Sequence, residues 1–381
     1  MTQNIYCPMF DGGLSINLKE DQENFVINHC CLRNNPIVLK NYNKVWNNVE
    51  FITSRKNNER NHWDPACDAC RILESAGLQS YRTGAINQFG IRKNLTGPMR
   101  IDLNFDISCN LACRTCAPSS STYWQKHLKE NKLKFYQPTL KSRIDDLLTI
   151  LKNLDLSNLE MVVLAGGESL MGTAYWRAAE YIINSVPNAK DKLILSFQTN
   201  ATQTIDKKYY ELIEKCHLVK LNFSIDGVGE QFNYLRWPAE WEQVTNNMFE
   251  LRKQLPVNVM FHVEETVSIF NLFYLNDLET WLQNNFAFNR LGPNKQGEYG
   301  NNISHGRHLA GGIFGLINIT QSYVDAVRKT KYANLIQDSW QENPEQIQQM
   351  IKEIRQFDTI RNQDFTKTFP EVADFYSEYL R

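Results

Sequence analysis

The chain predicts an α/β fold built on a parallel sheet, and three observations predict it. Strand-like apolar runs recur along the middle of the sequence. Helix-like stretches of crossover length separate them. Polar residues gather where the strand-like runs end.

The first run, Ile101-Asp-Leu-Asn-Phe-Asp-Ile107, alternates apolar and polar residues as a strand does. Leu159–Ala165 is a second run and leads into Gly166-Gly167-Glu168. A third, Leu193–Asn200, closes on Gln198, Thr199 and Asn200. The fourth, Val219–Gly227, closes on Ser224 and Asp226. Val257–Glu264 is a fifth, followed by Thr266, Ser268 and Asn271, and Phe286–Leu291 is the candidate sixth. Between them, Leu140–Leu154, Ala174–Asn184, Lys207–Lys215, Glu240–Leu255 and Asn271–Asn284 repeat apolar residues at helical intervals. Polar residues at the carboxyl ends of successive parallel strands describe a barrel mouth. Near the N-terminus, Asp11-Gly12-Gly13 reads as a hairpin turn entering a strand, with Phe25–Cys31 returning. Residues 289–315 are rich in Gly and Asn and read as a flexible connection carrying two surface histidines, His305 and His308, or as a loop over the mouth. Tyr323–Asp338 and Glu345–Phe357 read as helices, and Pro370 suits a helix start.

Composition excludes several classes. Lys and Arg total 41 against 42 Asp and Glu, so there is no basic field for a phosphate backbone and no nucleic acid partner is expected. No apolar run reaches the roughly 18–20 residues of a membrane span, so no membrane partner is expected. The first residues lack the basic start and apolar core of a signal peptide, and a cytoplasmic protein is expected. The cysteine count of 9 is odd, and the chain of 381 residues is long. In a reducing compartment, thiolate–metal chemistry explains such cysteines better than disulfides.

Cys109, Cys113 and Cys116 form a Cys-x3-Cys-x2-Cys run with no fourth cysteine close by. An iron–sulfur cube has four irons, so three thiolates on one loop leave one iron open to a small molecule. The open position marks a reaction centre, as it does on zinc. The alternatives are buried thiols or a zinc site of three cysteines and a histidine. His127, eleven residues after Cys116, is the nearest following imidazole.

This spacing resembles the cluster motif of the radical S-adenosylmethionine (SAM) enzymes, with one departure: Thr115 stands where many members carry an aromatic residue. The resemblance implies that the open iron of a [4Fe-4S] cluster chelates SAM and that its reductive cleavage yields a 5′-deoxyadenosyl radical, which takes hydrogen from a substrate. Gly166-Gly167-Glu168 resembles the family's Gly-Gly-Glu motif, which receives the SAM amino group. Thr199, Asn200, Ser224, Asp226 and Arg236 are further candidate SAM contacts. For each, strand-end hydrogen bonding or a surface salt bridge is the alternative. Glu264 and Glu265 face substrate or form a solvated acidic pair. The implied fold is a partial (β/α)6 TIM-like barrel.

A second cysteine group precedes that motif: Cys7, Cys30, Cys31, Cys67 and Cys70. Its layout resembles the auxiliary-cluster modules called SPASM and twitch domains, placed here before the barrel. Trp63, Cys67, Cys70, Glu74, Gly77, Ser80 and Arg82 match a pattern of that subgroup, and Asp358–Arg361 with Phe369–Val372 resembles its C-terminal tail. The resemblance implies an auxiliary [4Fe-4S] cluster on Cys7, Cys30, Cys67 and Cys70, with Cys31 able to replace Cys30. A structural zinc knuckle is the alternative. Cys216 reads as a buried core thiol. The expected organisation is an N-terminal Cys-rich auxiliary-cluster module over 1–98, the partial barrel over 99–292, and a loop with a C-terminal helical segment over 293–381. Expected partners are a peptide or small-molecule substrate and an electron donor such as flavodoxin or ferredoxin. A non-catalytic iron–sulfur or zinc-binding protein is the reading from another class.

Overall fold

The computed structural model describes residues 5–18, 25–33, 35–39, 41–59, 63–75, 79–133, 143–288, 302–336 and 340–381. They form two compact units. One comprises the described residues of Met1–Ser108, Tyr136–Gln198 and Ile205–Lys220; the other comprises those of Cys109–Phe135, Thr199–Thr204 and Leu221–Arg381. The architecture is α/β with a mostly parallel sheet in each unit.

The first unit holds β1 (Gly13–Leu18), β2 (Phe25–Asn28), β3 (Ile37–Val38), β4 (Arg100–Asn104), β5 (Met161–Ala165) and β6 (Ile194–Thr199), in the order β3-β2-β1-β4-β5-β6. β1 runs parallel to β4 with Gly13 opposite Arg100, and β4 parallel to β5 with Asn104 opposite Ala165. β2 and β3 are antiparallel additions. Alternation along the strands sends Ile101, Leu103, Val162 and Leu164 into the core. The helix Ala174–Ser185 covers them with Tyr175, Trp176, Ala179 and Ile182. Trp176 packs 4.8 Å from the Phe197 ring and stacks at 4.1 Å on Tyr209. Cys216 is buried here, as expected of a core thiol.

Asp11-Gly12-Gly13 is not the hairpin turn that its composition suggests. Pro8–Gly12 is a short helix that passes directly into β1. The glycines are there for close approach: a Cβ on Gly12 would lie 2.5 Å from Met99 Cγ, and one on Gly13 would lie 2.2 Å from the His29 carbonyl.

The strand β7 (Leu218–Ser224) carries the chain into the second unit, where the order is β7-β8-β10-β9, with β8 at Val259–Val267, β9 at Ala287–Phe288 and β10 at Asn302–Leu309. β10 corrects the reading of 289–315 as a connection. Asn302–Leu309 pairs in parallel with β8 over seven positions, from Ile303 opposite Phe261 to Leu309 opposite Val267. Polar side chains hid it, because His305, Arg307 and His308 of this strand meet the carboxylates of Glu264 and Glu265 on β8. Residues 289–301 lie outside the described residues, as do the ends of the expected 140–154 helix and of the 286–291 strand. The observed helix covers Ile144–Lys152. The expected helix over Tyr323–Asp338 is broken: Gln321–Val327 is helical, and a separate 3-10 turn covers Ala333–Leu335. Pro344–Arg361 and Pro370–Asp374 are helices, each with Pro in its first turn. Around Phe270, Tyr323, Ile347, Ile351, Phe365 and Phe369 these segments bury an apolar cluster of the second unit, each side chain contributing about 1.5–3 kcal/mol. Among the described residues no helix is long and apolar enough to cross a membrane.

Candidate active site

The segment Cys109–Cys116 has no regular structure of its own, so its backbone groups need outside partners. They find them on two sides. Ala112 N–H donates to the Trp237 carbonyl at 2.8 Å and Arg114 N–H to the Leu235 carbonyl at 2.8 Å. From the other side, Thr122 Oγ1 accepts from Cys109 N–H at 3.0 Å and donates to the Cys109 carbonyl at 2.9 Å. Ser121 Oγ donates to the Leu111 carbonyl, and the Trp124 indole to the Cys113 carbonyl at 2.9 Å. The loop is therefore held by the start of the Thr122–Glu130 helix and by the end of the Glu230–Leu235 helix.

Cys109 and Cys113 lie close enough to Cys116 to perturb its thiol. Burial pushes the Cys116 thiol up to about 12, helped by the neighbouring Cys113 and Cys109. Burial also raises Cys113, against the pull of the Arg236 guanidinium. Arg236 Nη1 stands 3.9 Å from Cys113 Sγ, and the Asn200 amide 3.8 Å from Cys109 Sγ. Asn200 is fixed in turn by Asn110 Oδ1 at 3.0 Å and by the Thr202 hydroxyl at 2.6 Å, while Thr199 is buried beside it. Arg236 is committed to Asp226, with Nε 2.6 Å from Oδ2 and Nη2 donating to Oδ1 at 2.8 Å. Burial opposes the Arg236 charge, but Asp226 and the Cys113 thiol outweigh it and keep the guanidinium protonated. Asp226 also accepts from the Thr266 N–H at 2.8 Å, and its own carbonyl accepts from Asn271. Arg236 and Asp226 thus form a buried ion pair against the Cys109–Cys116 loop. Three neighbouring thiols with a guanidinium and an amide beside two of their sulfurs fit an iron–sulfur group held by anionic thiolates. Such a group takes thiolates, which the bare loop disfavours.

Sequence reading missed Arg114. Its side chain is 0% exposed and pairs with Asp358 at 2.6 Å, 244 residues along the chain. Gln363 Oε1 accepts from the same nitrogen at 2.9 Å, and the Tyr234 ring lies 4.2 Å from the guanidinium. Asp358 is further held by the Tyr234 hydroxyl at 2.8 Å and the Phe365 N–H at 2.7 Å. The charge inside an otherwise small and polar motif was the available signal; its acidic partner lay too far along the chain to find. Asp358→Ala leaves the buried guanidinium without its counter-charge, so it should destabilise the protein by about 3–5 kcal/mol. Denaturant unfolding at equal iron content checks this, and Asp358→Asn should fall between.

Gly166 and Gly167 pack backbone against backbone. Gly166 has a φ of +132°, and a Cβ there would sit 2.4 Å from the Asp106 carbonyl oxygen; one on Gly167 would sit 2.2 Å from the Ser108 carbonyl oxygen. Gly167 N–H donates to Asp106 at 2.9 Å and Glu168 N–H to Ser108 at 2.7 Å. The motif so holds the stretch that leads into Cys109. The Glu168 carboxylate is buried and accepts from Leu170 N–H at 3.0 Å.

The four N-terminal cysteines line one cavity: Cys7, Cys30, Cys67 and Cys70, beside His29 and Arg82. Cys31 is exposed and not among its lining. Burial pushes Cys7 and Cys67 up to about 12, with the other cavity thiols adding to it. Glu74, Ser80 and Arg82, read as a pattern with Trp63, meet in space. Ser80 Oγ donates to Glu74 Oε1 at 2.5 Å, and Arg82 Nε donates to the same oxygen at 2.9 Å. Arg82 also reaches the Tyr6 carbonyl at 2.8 Å. These contacts tie the Cys67–Cys70 knuckle to the segment carrying Cys7. Gly77 lies outside the described residues. Among the described residues no group of three or more His, Cys, Asp or Glu side chains is arranged to hold a single metal ion.

Glu264 and Glu265 are not a solvated pair. Neighbours on a strand point to opposite faces. Glu265 is buried, 3.1 Å from His305 Nε2 and 2.7 Å from Arg307 Nε. Glu264 meets His262 at 2.6 Å and His308 at 3.5 Å. Burial raises its pKa, but hydrogen bonds from both histidines outweigh this and hold it well below the usual carboxylate range. His305 is therefore not a surface histidine, whereas His308 is half exposed. Ser224 ends β7 partly exposed. An open cleft of about 830 Å³ adjoins Thr115 and Cys116 and is walled by Leu133, Gly312 and Gln356.

Residues 104–268 match the family described as the Radical SAM superfamily. No curated protein matches the chain. Among solved structures, it is similar to one titled native anSMEcpe with bound AdoMet, at 16% identity and a TM-score of 0.37, over 69% of this chain and 62% of that one. It is also similar to Streptococcus suis SuiB bound to S-adenosylmethionine, at 12% identity and a TM-score of 0.37, over 94% and 73%. The chain thus spans less than two thirds of the first of these. Over residues 104–268 it thus resembles a Radical SAM domain, whose family implies a [4Fe-4S] cluster and SAM.

Proposed function

We propose that the Radical SAM domain acts on a peptide or protein side chain, which it modifies oxidatively with the help of an auxiliary [4Fe-4S] cluster. The observation that carries the radical SAM part is the pinned loop that gathers Cys109, Cys113 and Cys116, with Arg236 and Asn200 beside two of their sulfurs. Cys109, Cys113 and Cys116 would hold the SAM-binding cluster. When bound, that cluster supplies the electron that cleaves SAM to the hydrogen-abstracting 5′-deoxyadenosyl radical. The fold we propose is the family's partial (β/α)6 barrel.

The chain's own residues have distinct tasks in this reading. Gly166, Gly167 and Glu168 receive the SAM amino group, and Thr199, Asn200 and Ser224 add polar contacts. Asp226 fixes Arg236 against Cys113, so that a cation stands beside the thiolate sulfurs. Cys7, Cys30, Cys67 and Cys70 would hold the auxiliary cluster. Their shared cavity and the resemblance of the N-terminal module support it, and that resemblance also supports the substrate class. We assign residues 1–98 to this module, 99–292 to the barrel and 293–381 to the C-terminal segment. A flavodoxin or ferredoxin in the cytoplasm would deliver the electron.

Anaerobically purified, reduced protein should convert SAM to 5′-deoxyadenosine and methionine. Glu168→Ala should keep its iron but lose about 1.5–3 kcal/mol of SAM binding, roughly ten- to a hundredfold in affinity. Iron-replete protein that never forms 5′-deoxyadenosine would contradict the reading. An unchanged SAM affinity in the variant would remove Glu168 from the site.

A further inference from the structure

Arg361 is the last residue of the helix Pro344–Arg361, and it is 7% exposed. Three rings enclose its guanidinium: Trp124, Trp237 and Phe357, with centroids 4.5, 4.7 and 4.9 Å away. Its Nε donates to His127 Nε2 at 3.4 Å, whereas Nη1 and Nη2 have no hydrogen-bond partner among the described residues. Burial pushes His127 down to about 4, so this one acceptor is neutral. Burial and the Arg114 charge lower Arg361 itself to about 9, which leaves it cationic at neutral pH.

Two of the enclosing residues also hold the Cys109–Cys116 loop. The Trp124 indole donates to the Cys113 carbonyl at 2.9 Å, and the Trp237 carbonyl accepts from Ala112 N–H at 2.8 Å. Arg361 therefore stands one indole ring away from the Cys113 backbone, and its charge favours the Cys113 thiolate. The other two guanidinium groups at this loop have carboxylates: Arg114 has Asp358 at 2.6 Å, and Arg236 has Asp226 at 2.6 Å. Asp358 attracts Arg361 as well, but its oxygens are taken by Arg114, the Tyr234 hydroxyl and the Phe365 N–H. Three cations against two carboxylates leave one positive charge over. A buried cation without a counter-charge is costly. The C-terminal end of a helix favours a cation, yet the two terminal nitrogens bond none of the helix's last carbonyls.

We propose that Arg361 is the counter-charge of the SAM-binding iron–sulfur cluster and raises its reduction potential. The inference rests on the radical SAM reading and names a residue which that reading does not use. Three thiolates on a doubly positive cube leave one net negative charge, and reduction makes it two. A fixed cation stabilises the more negative state, so the electron enters at a higher potential. The effect requires no contact with a sulfur, because charge acts through space, over about 8–10 Å in salt solution and farther where water is excluded. Arg361 is thus a tuning residue, neither a ligand nor a group that touches substrate.

The test uses the full chain, reconstituted without oxygen and without SAM. Iron and sulfide are counted, and the potential is read by redox titration followed by electron paramagnetic resonance. The signal of this cluster is the one that disappears when Cys109→Ala, Cys113→Ala and Cys116→Ala are combined. Arg361→Met removes the charge and keeps an unbranched side chain, whereas Arg361→Lys keeps the charge and loses the planar fork. The expected result is a lower potential in Arg361→Met at equal iron, with Arg361→Lys close to the parent. Loss of this cluster in Arg361→Met with its retention in Arg361→Lys supports the counter-charge equally. An unchanged or higher potential in iron-replete Arg361→Met overturns the proposal. So does an equal shift or equal iron loss in both variants, which would mark a packing role. If Arg361→Met does not fold, Arg361→Gln takes its place in the same comparison, and failure of both neutral variants to fold also counts as a packing role. If the parent itself shows no signal that depends on Cys109, Cys113 and Cys116, the radical SAM reading fails first, and that outcome is distinct from the others.

Discussion

Replacing Cys109, Cys113 and Cys116 together with Ala is expected to reduce iron from about eight to about four per chain, because two cubes become one. Formation of 5′-deoxyadenosine should fall below detection at the same time. The effect should be all or none, because in the proposed reading the open iron on these thiols is what hands the electron to SAM. The fold should survive. Each thiol sits on a loop fixed through its backbone by Thr122, Trp124 and residues 235–237, and the substitutions leave those hydrogen bonds in place. Removing these thiols, of which burial opposes the ionisation of Cys113 and Cys116, should cost the metal-free protein little. Iron and sulfide analysis beside a thermal melt checks this. A triple variant that retained its full iron and cleaved SAM would remove the loop from the chemistry.

Cys67→Ala combined with Cys70→Ala should separate two steps. SAM cleavage should continue, because the Cys109–Cys116 loop draws its backbone partners from segments other than the knuckle. Product should drop at least a hundredfold, because a substrate that has lost a hydrogen atom still has one electron to give up, and the proposed acceptor has gone. The knuckle also bears structure: Cys70 begins the turn that presents Glu74 to Ser80 and Arg82. The variant must therefore be shown folded by its far-ultraviolet spectrum and must bind SAM normally. Product at the parent rate in such a folded variant would reduce the N-terminal cysteines to a structural role.

The strand–helix alternation from Ile101 to Val267 was legible because period-two and period-3.6 patterns are local and strong there. The strand Asn302–Leu309 was not. His305, Arg307 and His308 give it the composition of a connection, and only the carboxylates of β8 across the sheet make those side chains suitable for a strand. The separation of Glu264 from Glu265 follows from the pleat, yet their opposite fates required knowing which face is packed. Asp11-Gly12-Gly13 misled for a related reason. Glycine marks a turn when backbone conformation requires it, but here it is the nearness of Met99 and His29 that does.

By itself the sequence determined the chemistry on offer: three thiols at a spacing that suits a cube with an open iron, a Gly-Gly-Glu segment after a strand, and a second set of cysteines ahead of them. Those are statements about neighbours along the chain, and covalent spacing is enough to make them. Tertiary structure decided which distant groups support that chemistry. It turned Arg236 toward Asp226, brought Asp358 under Arg114 across 244 residues, and lined one cavity with the four N-terminal cysteines and His29. A buried charge or imidazole has to be satisfied by whatever the fold brings near, and that neighbour carries no mark in the local sequence.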